Sequence, residues 1–240
     1  NLTTMGAFGV DPATTRAQWE DSMDVLMKAM TEPKLSHDGP VWKIPEVEIV
    51  PKPITKPHPP VSVAASSIES NANAGTRGIG VITFENYFGF DYLQQCNDAY
   101  DEAFAAADHR QVVAPNNYKG LYVATAYCAP TTEEARQTAR EVALGYFKFI
   151  LDLYIPLSKK PEYQYLDIIE KLVEHEGDLD WLCDYSPSVM IGNPQDFIER
   201  LERLERMGVD EVLLRIDGVG HENIMQSLEL IGREVLPKFS

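Results

Sequence analysis

The stretch Pro59–Phe84, PPVSVAASSIESNANAGTRGIGVITF, constrains this chain's fold more than any other, because it reads as strand, tight loop, helix and strand. Val61, Val63 and Ala65 form a short apolar run bounded by Pro60 and the pair Ser66-Ser67, the pattern of a buried parallel strand. Ser66 to Glu69 fits an S-x-x-E capping box, Ala72 and Gly75 keep the following helix thin enough to lie close on a sheet, and Gly78 ends it. The next strand, Gly80 to Phe84, begins at once. Such a β-α-β unit demands a parallel sheet, and it sets the two serines where a strand's carboxyl end meets a helix's amino end. Free N–H groups and the helix dipole favour an anion such as phosphate there. Ser66 has a second reading, as no more than the cap of its own helix.

The rest of the chain repeats the alternation. Asp11-Pro12 is a helix start, and Trp19, Met23, Leu26 and Met30 then fall on one apolar face, expected to be core. From Leu35 to Ile54 the period shortens, with Asp38-Gly39 as a turn, so a small hairpin is expected ahead of the main strand. Pro51 to Pro60 is an extended connector with His58 on its rim. Helical spacing returns over Asp91–Ala107, a third buried strand over Lys119–Ala126, and a long helix after a Thr131–Glu134 cap. Tyr154–Tyr185 is aromatic and charged, and partly helical structure on the rim is expected. Gln195–Met207 reads as a helix, Glu211–Ile216 as the fourth strand, and a last helix runs through Ile224, Leu228, Ile231 and Val235. The whole of residues 1–240 is read as one α/β domain with a parallel sheet and outer helices.

Charge narrows the partners. With 21 Lys and Arg against 37 Asp and Glu, a formal charge of −16 repels nucleic acid and anionic membrane surfaces, so neither is expected as a partner. An anionic ligand must be held by local donors working against that field. Cys96, Cys128 and Cys183 are odd in number and lack metal-ligand spacing, so free thiols, no metal and a cytoplasmic setting are expected.

Three segments carry a resemblance that spans essentially the whole chain: FGVDPATTRAQWEDSMDVLMKAMTE, VPKPITKPHPPVSVAASSIES and IGNPQDFIERLERLERMGVDEVLLRIDGVGHENIMQSLELIGREVLP. They are similar to the bacterial luciferase-like flavin monooxygenases, which have TIM-barrel folds. The resemblance implies that the strand ending in Ala65 is the fifth of the barrel and that Ala65, Ser66 and Ser67 lie at the flavin phosphate. A family glutamate just before the serine is Ala65 here, so only a backbone contact is carried over. Phe84, Glu85 and Asn86, at the end of the sixth strand, are implied to lie against the flavin ring, with a solvated loop acid as the other reading of Glu85. The same alignment implies an incomplete barrel of about four parallel strands that lacks the first four, and with them the family's active-site positions. No catalytic residue is therefore assigned; His221, at the carboxyl end of the last strand, is the one candidate, with helix entry as its alternative.

The implied activity is a monooxygenase reaction. Reduced FMN from a separate flavin reductase reacts with dioxygen, and one oxygen atom enters a small organic substrate. The alternatives are a deazaflavin (F420)-dependent oxidoreductase of the same fold and a non-catalytic fragment or flavin-binding subunit. A sheet lacking half a barrel exposes two strand edges, so these 240 residues alone are expected to form a homo-oligomer or aggregate and to bind flavin poorly.

Overall fold

A short helix, Leu2–Ala7 (α1), comes first, and Asp11 then starts a 3-10 turn at Pro12 by accepting the Ala13 N–H at 3.0 Å. The turn leads into Thr15–Thr31 (α2). The computed structural model describes residues 2–108, 114–159, 166 and 168–239, and the chain divides into two units, 1–60 and 61–240. In the first unit the expected hairpin is present as Leu35–Asp38 (β1) and Lys43–Val47 (β2), paired antiparallel around the Asp38-Gly39 turn. The expected apolar core face of α2 is only half-buried, and Leu26 is exposed. Its one buried residue is Asp21, whose carboxylate accepts the amides of Val41 and Trp42 and meets His37 Nε2 at 2.7 Å. Burial pushes this carboxyl up, but the two amides and His37 outweigh it and hold its pKa below the usual value. Polar capping of the hairpin turn, not apolar packing, thus sets which side of α2 is inside. His58 also departs from the reading: it is buried, with Nδ1 2.8 Å from the Pro59 carbonyl.

The second unit is built on the expected β-α-β unit. Ser62–Ala65 (β3), Ile68–Arg77 (α3) and Gly80–Thr83 (β4) follow one another, and Gly78 ends α3 at φ 70°. Phe90–Ala106 (α4) packs along α3, and the close approach is there: a Cβ at Gly75 would lie 2.4 Å from the Tyr100 carbonyl. The small residues of α3 therefore serve helix against helix, where helix against sheet was expected.

Lys119–Val123 (β5) continues past Ala124 as Thr125–Cys128 (β6). Thr132–Ser158 (α5) follows, capped by Thr131 Oγ1 accepting the Glu134 N–H. Ile169–Leu172 (α6) and Leu179–Tyr185 (α7) give the expected partly helical structure, but one face of each, with Ile169, Leu172, Leu179 and Leu182, is buried in the core while the charged face stays exposed. Val189–Gly192 (β7), Pro194–Arg206 (α8), Glu211–Leu214 (β8) and His221–Leu230 (α9) complete the unit.

Four parallel strands run in the order β3-β4-β5-β8, and β6 pairs with β7. Where β4 ends, β7 takes its place beside the β5–β6 run, through Thr125 N–H to the Ser188 carbonyl at 3.2 Å. On one face of the sheet the central strands' Val81, Thr83, Leu121 and Val123 are fully buried, and Leu121 and Val123 join Phe197, Leu204 and Val235 in the main core. The register sets Ala64, Ile82, Tyr122 and Leu213 on the other face, which is exposed or half-exposed.

Cys96, Cys128 and Cys183 are buried free thiols. Burial raises the first two to about 12 and the third to about 11, which removes the reactive thiolate at neutral pH. A thiol reagent at pH 7 is expected to find none of the three in the native protein and all three after denaturation without reductant. Rapid native labelling would contradict this burial.

Candidate functional site

Phe84 N–H donates to the Ala65 carbonyl at 2.9 Å, which sets the ends of β3 and β4 side by side. The chain leaves β3 at Ser66, and Ser67, one residue later than expected, caps α3. Its Oγ accepts the Ser70 N–H at 3.1 Å, while Ser70 Oγ accepts the Ser67 N–H at 3.0 Å. The reciprocal box is thus Ser67 with Ser70, because Ser70 stands three residues into the helix and can reach back, as Glu69 at two cannot. Ser66 is left outside the box, its carbonyl accepting Asn86 Nδ2 at 3.0 Å and Tyr92 Oη at 3.2 Å. The Ile68 amide lies in the first turn of the helix, where backbone N–H groups point out of the helix end.

The turn after β4 is held just as tightly. Asn86 and Tyr87 take φ values of 57° and 63°, a left-handed pair that non-glycine residues adopt only when their surroundings compel it. Phe84 stands edge-on to Tyr87 and Tyr122 at 5.7 and 5.9 Å, and Tyr87 meets Phe147 of α5 at 4.9 Å. Glu85 is wholly buried, and its two carboxyl oxygens hydrogen-bond the hydroxyls of Ser186 and Ser188 at the entry to β7. Burial raises its pKa, against the lowering effect of those two bonds.

Ala65, Ser66, Phe84 and Asn86 are therefore brought together, with Ser67 capping the helix beside them. Glu85, read as a ring contact or a solvated loop acid, is neither exposed nor turned toward the serine loop. His221 stands apart as the exposed first residue of α9 after Gly220, the helix-entry reading. The sequence assigns no site role to Ser186, Ser188, Tyr92 or Tyr122. Ser186-Pro187-Ser188 before an apolar run was the one available signal, and nothing in its spacing points to Glu85.

The donor set fits a flavin phosphate: hydroxyl and amide donors at a helix N-terminus, placed at the carboxyl end of a parallel strand. The buried Asn86 Oδ1 and Tyr87 Oη lack protein partners among the described residues, polar atoms next to where the ring is expected. A cavity of 260 Å³ lies elsewhere, lined by Phe90, Arg136, Arg200 and Arg203. Its arginines are already engaged: Arg136 with Asp180, Arg200 with carbonyls at the end of α7, and Arg203 stacked 3.4 Å over Phe90. It reads as a gap in helix packing.

Known proteins agree with this fold. The chain is 27% identical over 220 residues to the oxygenase component of the flavin-dependent trigonelline monooxygenase of Acinetobacter baylyi, covering 85% of this chain and 55% of that protein. The crystal structure of monooxygenase RslO1 from Streptomyces bottropensis superposes with a TM-score of 0.74 at 18% identity, over 99% of this chain and 66% of that one. The oxygenating constituent of 3,6-diketocamphane monooxygenase from Pseudomonas putida, solved with FMN, superposes with a TM-score of 0.61 at 22% identity, over 91% and 62%. The chain thus spans a little over half to two thirds of these relatives, and its four-stranded sheet is part of a luciferase-like TIM-barrel fold. The luciferase-like monooxygenase family matches residues 2–211, and this chain belongs to it.

Proposed function

We propose that the protein carrying this chain is an FMN-dependent monooxygenase that uses reduced flavin and dioxygen to oxidise a small organic substrate. The observation that carries the reading is the donor cluster after β3, where Ser66 and the Ile68 amide meet at the amino end of α3. Against a net charge of −16, such neutral donors and a helix dipole are what holds a phosphate. The flavin, when bound, supplies the oxygen activation. The residues of this chain bind and orient it: Ser66 and Ser67 at the phosphate, Asn86 fixing the Ser66 carbonyl, and Phe84 and Tyr122 forming an apolar wall that keeps water out. The designation of the trigonelline relative as an oxygenase component supports a separate flavin reductase as partner.

Replacing Ser66 and Ser67 together with alanine is expected to weaken FMN binding by about 1–3 kcal/mol. Riboflavin, which lacks the phosphate, should bind both proteins alike. The lost cap also costs about 1 kcal/mol of stability, so the FMN-to-riboflavin ratio and not the melting temperature is the measurement. An unchanged ratio refutes the phosphate site, and preferential retention of a deazaflavin over FMN refutes the FMN assignment.

A further inference from the structure

A count of protons around Glu85 goes beyond the flavin reading while resting on it for its purpose. Ser186 Oγ accepts the Ser188 N–H at 3.1 Å and gives its one proton to Glu85 Oε1. Ser188 Oγ also has one proton but faces two oxygens, Glu85 Oε2 and the Tyr122 carbonyl at 3.2 Å. With an ionised Glu85 both of those compete for the one Ser188 proton, the carboxyl otherwise drawing on the backbone amides of Ser188 and Glu85. With a protonated Glu85 every contact closes: the acid O–H donates to Ser188 Oγ, and Ser188 donates to the Tyr122 carbonyl. The surroundings agree, since Glu85, Ser186 and Ser188 are all fully buried and no ion pair reaches Glu85 among the described residues. A buried carboxylate without a cation ordinarily takes up a proton.

The acid is also placed to act at a distance. It anchors the turn whose next residue, Asn86, donates to the Ser66 carbonyl. We propose that Glu85 is held as a neutral carboxylic acid whose clamp on Ser186 and Ser188 fixes the turn carrying Asn86 to Ser66, so that it is a positioning residue for the proposed phosphate loop. The titratable groups around it are Tyr87 on the same turn, Cys96 of α4 and Tyr185 of α7, with Tyr122 of β5, Tyr146 of α5 and Arg215 after β8 around Tyr87. Burial raises Tyr87, Cys96, Tyr146 and Tyr185, and Arg215 is engaged by Asp217, so Glu85 is the one carboxyl in this group.

The sign follows from the raised value. Unfolded Glu85 ionises near pH ~4.3 while the folded acid stays protonated, so its stabilising contribution is complete below that pH and is lost as pH rises through the folded pKa. The test compares the protein with Glu85→Gln, which keeps a donor and an acceptor, and with Glu85→Ala. At neutral pH the infrared spectrum should hold a protonated-carboxyl carbonyl band that Glu85→Gln lacks. Above pH ~4.3 the unfolding constant of the parent relative to Glu85→Gln should rise by up to about tenfold per pH unit. FMN affinity should be kept by Glu85→Gln and fall at least about fivefold in Glu85→Ala, with riboflavin affinity unaltered. Should Glu85→Ala not fold, Asn86→Ala takes its place in the FMN comparison.

A missing band or a pH-independent stability gap overturns the neutral acid, and full FMN affinity in the alanine variant overturns the positioning role. The infrared and unfolding measurements need no flavin. Failure of the parent itself to bind FMN therefore refutes the phosphate reading and the positioning role with it, while the protonation state is still decided by the other two.

Discussion

Alanine at position 75 is expected to destabilise the second unit by about 2 kcal/mol, although the same change in an open helix stabilises it. The added Cβ would lie 2.4 Å from the Tyr100 carbonyl, 3.0 Å from the Phe104 nitrogen and 3.3 Å from the Ala103 Cβ. Two of these are backbone atoms in the middle of α4, so no rotamer change relieves the contact and the helices must separate. Forced overpacking costs about 1–3 kcal/mol or more where backbone must move, against about 1 kcal/mol gained from helix propensity. Gly145 supplies the control. It sits exposed in α5, where an added methyl would find nothing within 4 Å, and Gly145→Ala should stabilise by about 0.5–1 kcal/mol. Denaturant unfolding of the two variants should therefore move the midpoint in opposite directions. Equal shifts would show that the α3–α4 contact is looser than described. Because α3 begins at the serine loop, the damage should also reach flavin binding.

Arg200→Met is expected to cost about 2–4 kcal/mol. The guanidinium of Arg200 donates to the Ser186 carbonyl at 2.9 Å, to the Val189 carbonyl at 3.2 Å and to the Cys183 carbonyl. It thereby caps the carboxyl end of α7, where a cation also meets the negative end of the helix dipole. Methionine fills much of the same volume but removes a charged donor from three carbonyls, and the loss of these hydrogen bonds to partly buried groups dominates. Two of those carbonyls flank the Ser186 and Ser188 hydroxyls that hold Glu85. A fall in the denaturation midpoint at constant m-value is the expected readout, and a change below about 0.5 kcal/mol would rule out this role.

How much was legible follows from how far apart the determinants lie in sequence. Every strand of the parallel sheet was readable because each is a short run rich in apolar residues between helical patterns, and the order of strand and helix alone implied parallel pairing. The loop at Ser66-Ser67 was readable for the same reason, yet the cap was displaced by one residue. Two adjacent serines both match a box pattern, and only the backbone decides which one stands at the helix boundary. Asp21 was hidden by periodicity, because the apolar stripe of α2 outvotes a single acid whose partners, His37, Val41 and Trp42, belong to the hairpin. Glu85 was hidden by distance: Ser186 and Ser188 lie 101 and 103 residues away, beyond any spacing rule. The left-handed pair Asn86-Tyr87 gave only a faint hint, since asparagine tolerates that backbone but tyrosine seldom adopts it.

The pairing of β5 with β8 has a consequence for how the chain is made. β4 and the far side of β5 are close in sequence and can join as soon as both leave the ribosome, whereas β8 must come from Glu211–Leu214. While residues 124–210 are being synthesised, β5 carries a free edge beside apolar Leu121 and Val123, the situation in which nascent chains pair with one another. Long-range closure of this kind slows folding more than it lowers final stability. β8 therefore joins after the other three strands, as the segment that decides whether a half-made sheet matures or is captured by a neighbour.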